Sequence, residues 1–318
     1  MSELRFSIVT CFYNSARRLE RYLQALRRLD LQGEDVEFVF VDNASRDDTM
    51  ECLRSASGSL PARVTLLTEP NPGLMHARSS GVAAAQGEFV LFLDDDNEPE
   101  PDYLKELSRL VDQYRDAVLF TGNCVLPEEY PAELGNAGVL PLLVIRELKG
   151  EFSFQLDTLV PPHIPWGAGL FARRSELVTA CAAWSRGDVG ITGRRGEQLS
   201  GGEDIWLAHY LTRTGTPVVF SDRLRITHRL DRDRFQAGYL ARLGLENGLG
   251  HLALVEAVLE VKPQLRHSRL GGGHVLKVCL VVLPVRILLF LLRRDIATLT
   301  AAASQLGYTY SLLCRVAR

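Results

Sequence analysis

Short apolar runs and helical periods alternate through the first half of the chain. Residues 6–12 and 36–41 are apolar and β-branched enough to read as strands, and 64–67 is a third. Between them, residues 16–29 repeat Leu19, Tyr22, Leu23 and Leu26 at helical spacing, and 47–56 and 73–85 read as further helices. A buried strand over 88–93, a helix over 103–114 and a strand over 117–124 continue the alternation. Such a series predicts an α/β fold: a mostly parallel, Rossmann-like sheet flanked by helices on both faces. From 126 to 165 the pattern loosens and prolines accumulate, as expected of an insertion that shapes a substrate side. Strand and helix resume at 167–171 and 174–183. Residues 185–202 are rich in Gly and Arg and read as a solvated loop or a lid. A helix over 203–214, strands over 217–221 and 224–227 and a long helix over 235–259 follow.

The chain's 318 residues can bury a sizeable core, and its 46% hydrophobic and 24% charged content is ordinary for a globular protein. The six cysteines are scattered without a C-x-x-C pair, which argues against a disulfide framework or a zinc site and for a reducing compartment. The strand-like segment starts directly after Arg5, so no signal peptide is expected. The net charge of −3 is unevenly spread: from Lys262 onward nine Lys/Arg face one acid, a tail of +8, so residues 1–261 carry −11. An acidic body and a basic, greasy tail predict two parts that meet different surroundings: a first domain over 1–235 and a helical C-terminal region over 236–318.

The feature richest in chemistry is Asp94-Asp95-Asp96, directly after the apolar run that ends at Leu93. Three carboxylates at the carboxyl end of a strand repel one another unless a cation joins them. A hard divalent ion takes carboxylate oxygens and leaves room for substrate phosphates, and ligands of α/β sheets sit at that edge. Asp42 ends the second strand and falls on the same edge. Gly201-Gly202-Glu203-Asp204 opens a helix, where two carboxylates in the first turn are either capping charges or a proton acceptor.

Four segments in order carry a resemblance: Ser7-Ile8-Val9-Thr10-Cys11-Phe12-Tyr13-Asn14, Val39-Phe40-Val41-Asp42-Asn43-Ala44-Ser45, the acidic turn, and Gly201-Gly202-Glu203-Asp204 followed by Trp206 and Leu207. Over roughly residues 5–240 the chain resembles inverting glycosyltransferases of family 2, which have the nucleotide-sugar-binding GT-A fold. The resemblance implies transfer of a sugar from a nucleotide-sugar, UDP above all, to an acceptor hydroxyl in glycan, polysaccharide or glycolipid assembly. It implies that Thr10 and Asp42 hold the nucleoside, and that Arg78 lies near the donor. Asp94 or Asp95 would hold ribose or sugar hydroxyls, and Asp96, with His228 as an additional ligand, would bind Mg²⁺ or Mn²⁺. Asp204 rather than Glu203 would be the base. The competing readings are a metal-dependent nucleotidyltransferase, which usually begins with a Gly- and Lys-bearing phosphate loop absent at 10–14, and a non-catalytic adaptor on the same fold.

The tail adds a second expectation. Residues 275–292 are apolar except for Lys277, Pro284 and Arg286, and Arg286 inside the run opposes spanning a bilayer. The reading is a helical appendage in or on the cytoplasmic face of a membrane, its basic residues meeting anionic lipids. A helical pair packed on the catalytic domain, or in a homo-oligomer interface, is the alternative. The acceptor is expected to be a glycan or a lipid-linked molecule, and no nucleic-acid partner is expected.

Overall fold

The computed structural model describes residues 4–31, 33–130, 139–158, 163–188, 191, 193–194, 199, 201–263, 283, 286–287, 290–291 and 295–316, with side chains to residue 310. Most of the apolar stretch 275–292 and part of the Gly- and Arg-rich loop therefore lie outside the described residues. The strands are β1 (Phe6–Phe12), β2 (Val36–Asp42), β3 (Arg63–Thr68), β4 (Phe89–Phe92), β5 (Asn97–Pro99), β6 (Leu119–Val125), β7 (Glu151–Phe154), β8 (Phe171–Arg173) and β9 (Val218–His228). The helices are α1 (Ala16–Arg27), α2 (Thr49–Ala56), α3 (Leu74–Ala84), α4 (Tyr103–Gln113), α5 (Arg174–Ala183), α6 (Glu203–Leu211), α7 (Ala237–Val261) and α8 (Ile296–Val316).

The central strands are apolar on both faces because both are covered. Alternation along each strand sends successive side chains to opposite sides. Phe6, Ile8, Phe38, Phe40, Phe89 and Leu91 join one core cluster with α1 and α4. Val9, Val39, Val41, Val90 and Phe92 join the other, with α3, α5 and α6. The strand order is β3-β2-β1-β4-β8-β6-β9-β5, with β7 beside β9. β3, β2, β1 and β4 are parallel, as the alternation of strand and helix predicts. Beyond β4 the sheet is mixed: β8 runs antiparallel to β4 and β6, and β5 and β7 antiparallel to β9, while β6 and β9 are parallel. β5, β7 and β8 are three or four residues long. Antiparallel pairing needs no helical crossover, so short strands inside loops can add themselves this way. Residues 217–221 and 224–227, read as two strands, are one strand, β9.

The C-terminal helices pack on this body. Leu240 and Leu243 of α7 belong to one core cluster, and Leu254, Ala257 and Val258 to the other. α8 lies against α7 at a backbone-to-backbone approach: a Cβ on Gly248 would stand 1.9 Å from the Ser304 carbonyl oxygen. Gly248→Ala is therefore expected to destabilise the protein by about 1–3 kcal/mol through overpacking. Gly238→Ala, at an exposed helical site with nothing described within 4 Å, is expected to be neutral or slightly stabilising. Urea midpoints of the two variants check this, and equal midpoints would dismiss the close approach.

Among the described residues no helix is long and apolar enough to cross a membrane.

Candidate active site

One cavity of about 1250 Å³ opens at the carboxyl edge of β1 and β4 and extends under α7 and α8. Asp94, Asp95, Asp96, Arg78, Glu203, Asp204 and His228 all line it. Of the eight residues given a site role in the sequence, six, all of these but Glu203, thus meet in one space. Thr10 and Asp42 do not line it. Thr10 is fully buried with its hydroxyl against that of Tyr22. Asp42 is buried at the end of β2 with its Oδ1 unpaired, next to Asn43, which does line the cavity.

The acidic turn is held by its own atoms. The Asn97 carboxamide oxygen accepts from the Asp94 N–H at 3.0 Å, and the Asn97 N–H donates to the Asp94 carbonyl at 3.0 Å. Residues 97–99 then pair with β9, Asn97 opposite His228. That pairing, invisible in the sequence, brings Asp96 Oδ1 to 3.2 Å from His228 Nε2. Arg234 stands 3.4 Å from the other oxygen of Asp96. Burial works against a charged His228, yet the Asp96 carboxylate outweighs it and lifts the imidazole to about 10. Burial likewise raises Asp96, but His228 and Arg234 hold it below the usual carboxylate range.

Asp95 is engaged differently from Asp94. It accepts from the Ser15 hydroxyl and pairs with Arg18 at 2.8 Å. Burial pushes it up to about 6 against the pull of Arg18. Asp94 is more open, and Arg78 Nη2 lies 3.5 Å away. Arg78 projects from α3 into the body at 3% exposure, its guanidinium over the Phe92 ring and 3.9 Å from Glu203. Asn43 sets up the start of that helix: it accepts from the Gly73 N–H at 2.8 Å and donates to the carbonyls of Glu69 and Asn71.

Gly202, with φ of +115°, turns the chain into α6 in a conformation open to glycine. The turn buries Glu203, whose Oε2 has no hydrogen-bond partner, and sets Asp204 beside it. Asp204 accepts from the Ile205 N–H at 2.8 Å and from the Gly167 N–H at 3.2 Å. Burial first, then the Asp204 charge, raises the Glu203 carboxyl pKa, and Arg78 opposes both. Trp166 half-lines the cavity with Arg146 4.6 Å from its ring centre.

Sequence reasoning missed Arg18 and Arg234, and it offered α7 and α8 as a packed helical pair without placing them on the cavity. Arg234 follows His228 by six residues, a proximity that offered a signal. Arg18 sits in an ordinary Arg-rich first helical turn and offered none.

The carboxylates of the acidic turn are the hard oxygen donors that Mg²⁺ or Mn²⁺ takes, and a cation shared by Asp96 and His228 would have to displace the proton that now joins them at 3.2 Å. Among the described residues no three of His, Cys, Asp or Glu form a metal cluster, so the remaining ligands would come from the bound diphosphate or water.

A mixed α/β sheet with flanking helices and a cleft at its carboxyl edge is the architecture of GT-A glycosyltransferase structures. Residues 7–161 match the family model described as Glycosyl transferase family 2. Poly(ribitol-phosphate) beta-N-acetylglucosaminyltransferase of Staphylococcus aureus is 29% identical over 116 residues, 36% of this chain and 20% of that one. Validoxylamine A glucosyltransferase of Streptomyces hygroscopicus subsp. jinggangensis is 28% identical over 232 residues, 68% of this chain and 53% of that one. The chain thus matches well under two thirds of the length of these relatives. The structure of the mannosyltransferase PcManGT from Pyrobaculum calidifontis, in complex with GDP-Man and Mn²⁺, superposes with a TM-score of 0.57 at 17% identity, over 99% of this chain and 87% of that one. At that identity the likeness speaks for the fold. What the chain shares with glycosyl transferase family 2 is therefore the match over residues 7–161.

Proposed function

We propose that the protein transfers a sugar from a nucleotide-sugar, UDP-linked above all, to an acceptor hydroxyl with inversion and with the help of a divalent cation. The observation that carries this reading is the convergence of Asp94, Asp96, His228, Arg78 and Asp204 on one cavity. The acceptor hydroxyl gives its proton to the Asp204 carboxylate while its oxygen attacks the anomeric carbon from the face opposite the diphosphate. The bond from that carbon to the diphosphate oxygen breaks, and the diphosphate leaves with the electron pair. Arg78 and Arg234 place positive charge along the cavity where the leaving group's charge develops. A bound Mg²⁺ or Mn²⁺, held by Asp96 and His228, would neutralise the diphosphate as a Lewis acid. Asp94 offers oxygens to sugar or ribose hydroxyls. Asp95 stays tied to Ser15 and Arg18 and shapes the turn.

Asp42 presents an unpaired, buried carboxylate oxygen one residue from the cavity-lining Asn43. Such an acceptor favours bases with a ring N–H, uracil, thymine or guanine, over cytosine. In thermal-shift assays with Mn²⁺, UDP at about a hundredfold excess over Kd is expected to raise Tm by about 3–8 °C. CDP is expected to raise it less. A CDP shift equal to that of UDP removes Asp42 from base recognition, and no shift with UDP, GDP or dTDP removes the nucleotide-sugar reading.

Peripheral contact with the cytoplasmic face of a membrane belongs to the same reading. Ile287, Leu291, Leu306 and Tyr310 are exposed large apolar side chains in the basic C-terminal region, and basic residues near an anionic surface contribute about 1 kcal/mol each. The full chain is expected to float with anionic liposomes at low salt and to be released at high salt. Equal flotation with neutral and anionic liposomes would remove the electrostatic part.

A further inference from the structure

The cavity is larger than a donor nucleotide-sugar site needs to be at the acidic turn, and its far half has a different character. One face of α7, carrying Leu243, Asn247, His251 and Leu254, and one face of α8, carrying Ala297 and Ala301, line it. Residues four, seven or eight, and eleven apart share a helix face, so each helix contributes one stripe. This wall stands directly beside the proposed base. The Asn247 carboxamide oxygen accepts from the Gly201 N–H at 3.4 Å, and a Cβ on Gly202 would lie 3.2 Å from a Leu254 methyl.

Among the wall's polar groups Asn247 is used by Gly201, the Thr300 hydroxyl donates to the Ile296 carbonyl and His251 meets the Tyr308 ring edge-on at 5.1 Å, while Ser304 and Gln305 also line the cavity. Burial lowers the His251 pKa. The apolar part of this lining comes from Leu243, Leu254, Ala297 and Ala301, together with Leu142 and Val144. At the solvent-exposed margin Arg286 lines the cavity, followed directly by the exposed Ile287. Of the seven exposed large apolar residues described, five belong to α7, α8 or the segment between them. The apolar lining and the apolar outer surface therefore belong to one helical layer.

We propose that this half of the cavity is the acceptor subsite, and that the acceptor carries its hydroxyl on an apolar chain. The hydroxyl-bearing head lies at Asp204, and the chain runs along the α7–α8 wall and leaves past Arg286. The inference rests on the glycosyltransferase reading and deepens it by naming the acceptor class. A wholly polar acceptor, a soluble sugar or a peptide, would leave these apolar walls wet and gain nothing from them.

Titration calorimetry on the full chain tests this with octyl β-glucoside below its micelle concentration and methyl β-glucoside as probes. Each buried methylene strengthens binding several-fold, so the octyl compound is expected to bind at least about tenfold more tightly. Ala301→Trp and, separately, Ala297→Phe fill the wall, and both are expected to abolish the octyl advantage. UDP affinity with Mn²⁺ is expected to stay within about twofold in both variants, which also shows that they are folded. Equal affinity for the two glucosides, no binding of either, or an octyl advantage that survives in both variants overturns the proposal. Loss of UDP binding in the unaltered chain would instead strike the glycosyltransferase reading, so the two failures are distinguishable.

Discussion

Replacing Asp204 by Asn is expected to lower kcat by about 10²–10⁴-fold, the usual contribution of a positioned general base, while nucleotide affinity stays within a few-fold. The geometry explains the split. Asp204 is fixed by the N–H groups of Ile205 and Gly167, not by the acidic turn, so its charge holds no part of the donor cradle in place. Asparagine keeps the shape and one acceptor oxygen and loses the basic one. Single-turnover transfer measured beside UDP binding separates the two quantities. A parallel collapse of both would make Asp204 an anchor of the loop around Gly167 and not the proton acceptor. Glu203 is the natural comparison: it is buried against Arg78, so Glu203→Gln is expected to disturb packing and donor affinity more than proton transfer.

Arg78→Gln is expected to cost about 3–5 kcal/mol of stability, the usual penalty for removing one partner of a buried ion pair. Arg78 is 3% exposed and lies between Asp94 at 3.5 Å and Glu203 at 3.9 Å. Without it Glu203, already raised by burial and by the charge of Asp204, loses the cation that opposes both. A carboxyl whose folded pKa lies above its unfolded value disfavours the folded state once ionised, so stability falls as pH rises above the ordinary carboxylate range. The variant is therefore expected to be penalised more at pH 7 than at pH 5, as urea midpoints at the two values would show. Adding Glu203→Gln is expected to restore part of the loss, since neighbouring groups couple. A change below about 1 kcal/mol at pH 7, with no coupling, would mean that water already screens these charges.

The acidic turn shows how far local sequence reaches. A run of apolar residues stopped by three aspartates predicts a strand and then a loop, and β4 with its turn is found there. The placement of those aspartates at a strand's carboxyl edge follows from chain direction, which a parallel sheet shares among its strands. The partner of Asp96 follows from the resemblance and not from the local pattern. His228 lies 132 positions later, and it arrives through the register of β5 on β9, a pairing of three residues with no periodic signal. Thr10 shows the reverse case: its motif is legible, but alternation along β1 sends its hydroxyl to Tyr22 and not to the cavity.

By itself the sequence determined the strand–helix alternation, the two-faced burial of β1, β2 and β4, and the residue types gathered at the cleft, because hydrophobic period and turn chemistry act over a few residues. The tertiary structure alone decided that the sheet is mixed beyond β4, that Arg18 and Arg234 join the acidic turn, and that α7 and α8 close one side of the cavity. Those outcomes depend on which distant surfaces fit together and on which buried charges find partners, and contacts of that kind leave no local period to read.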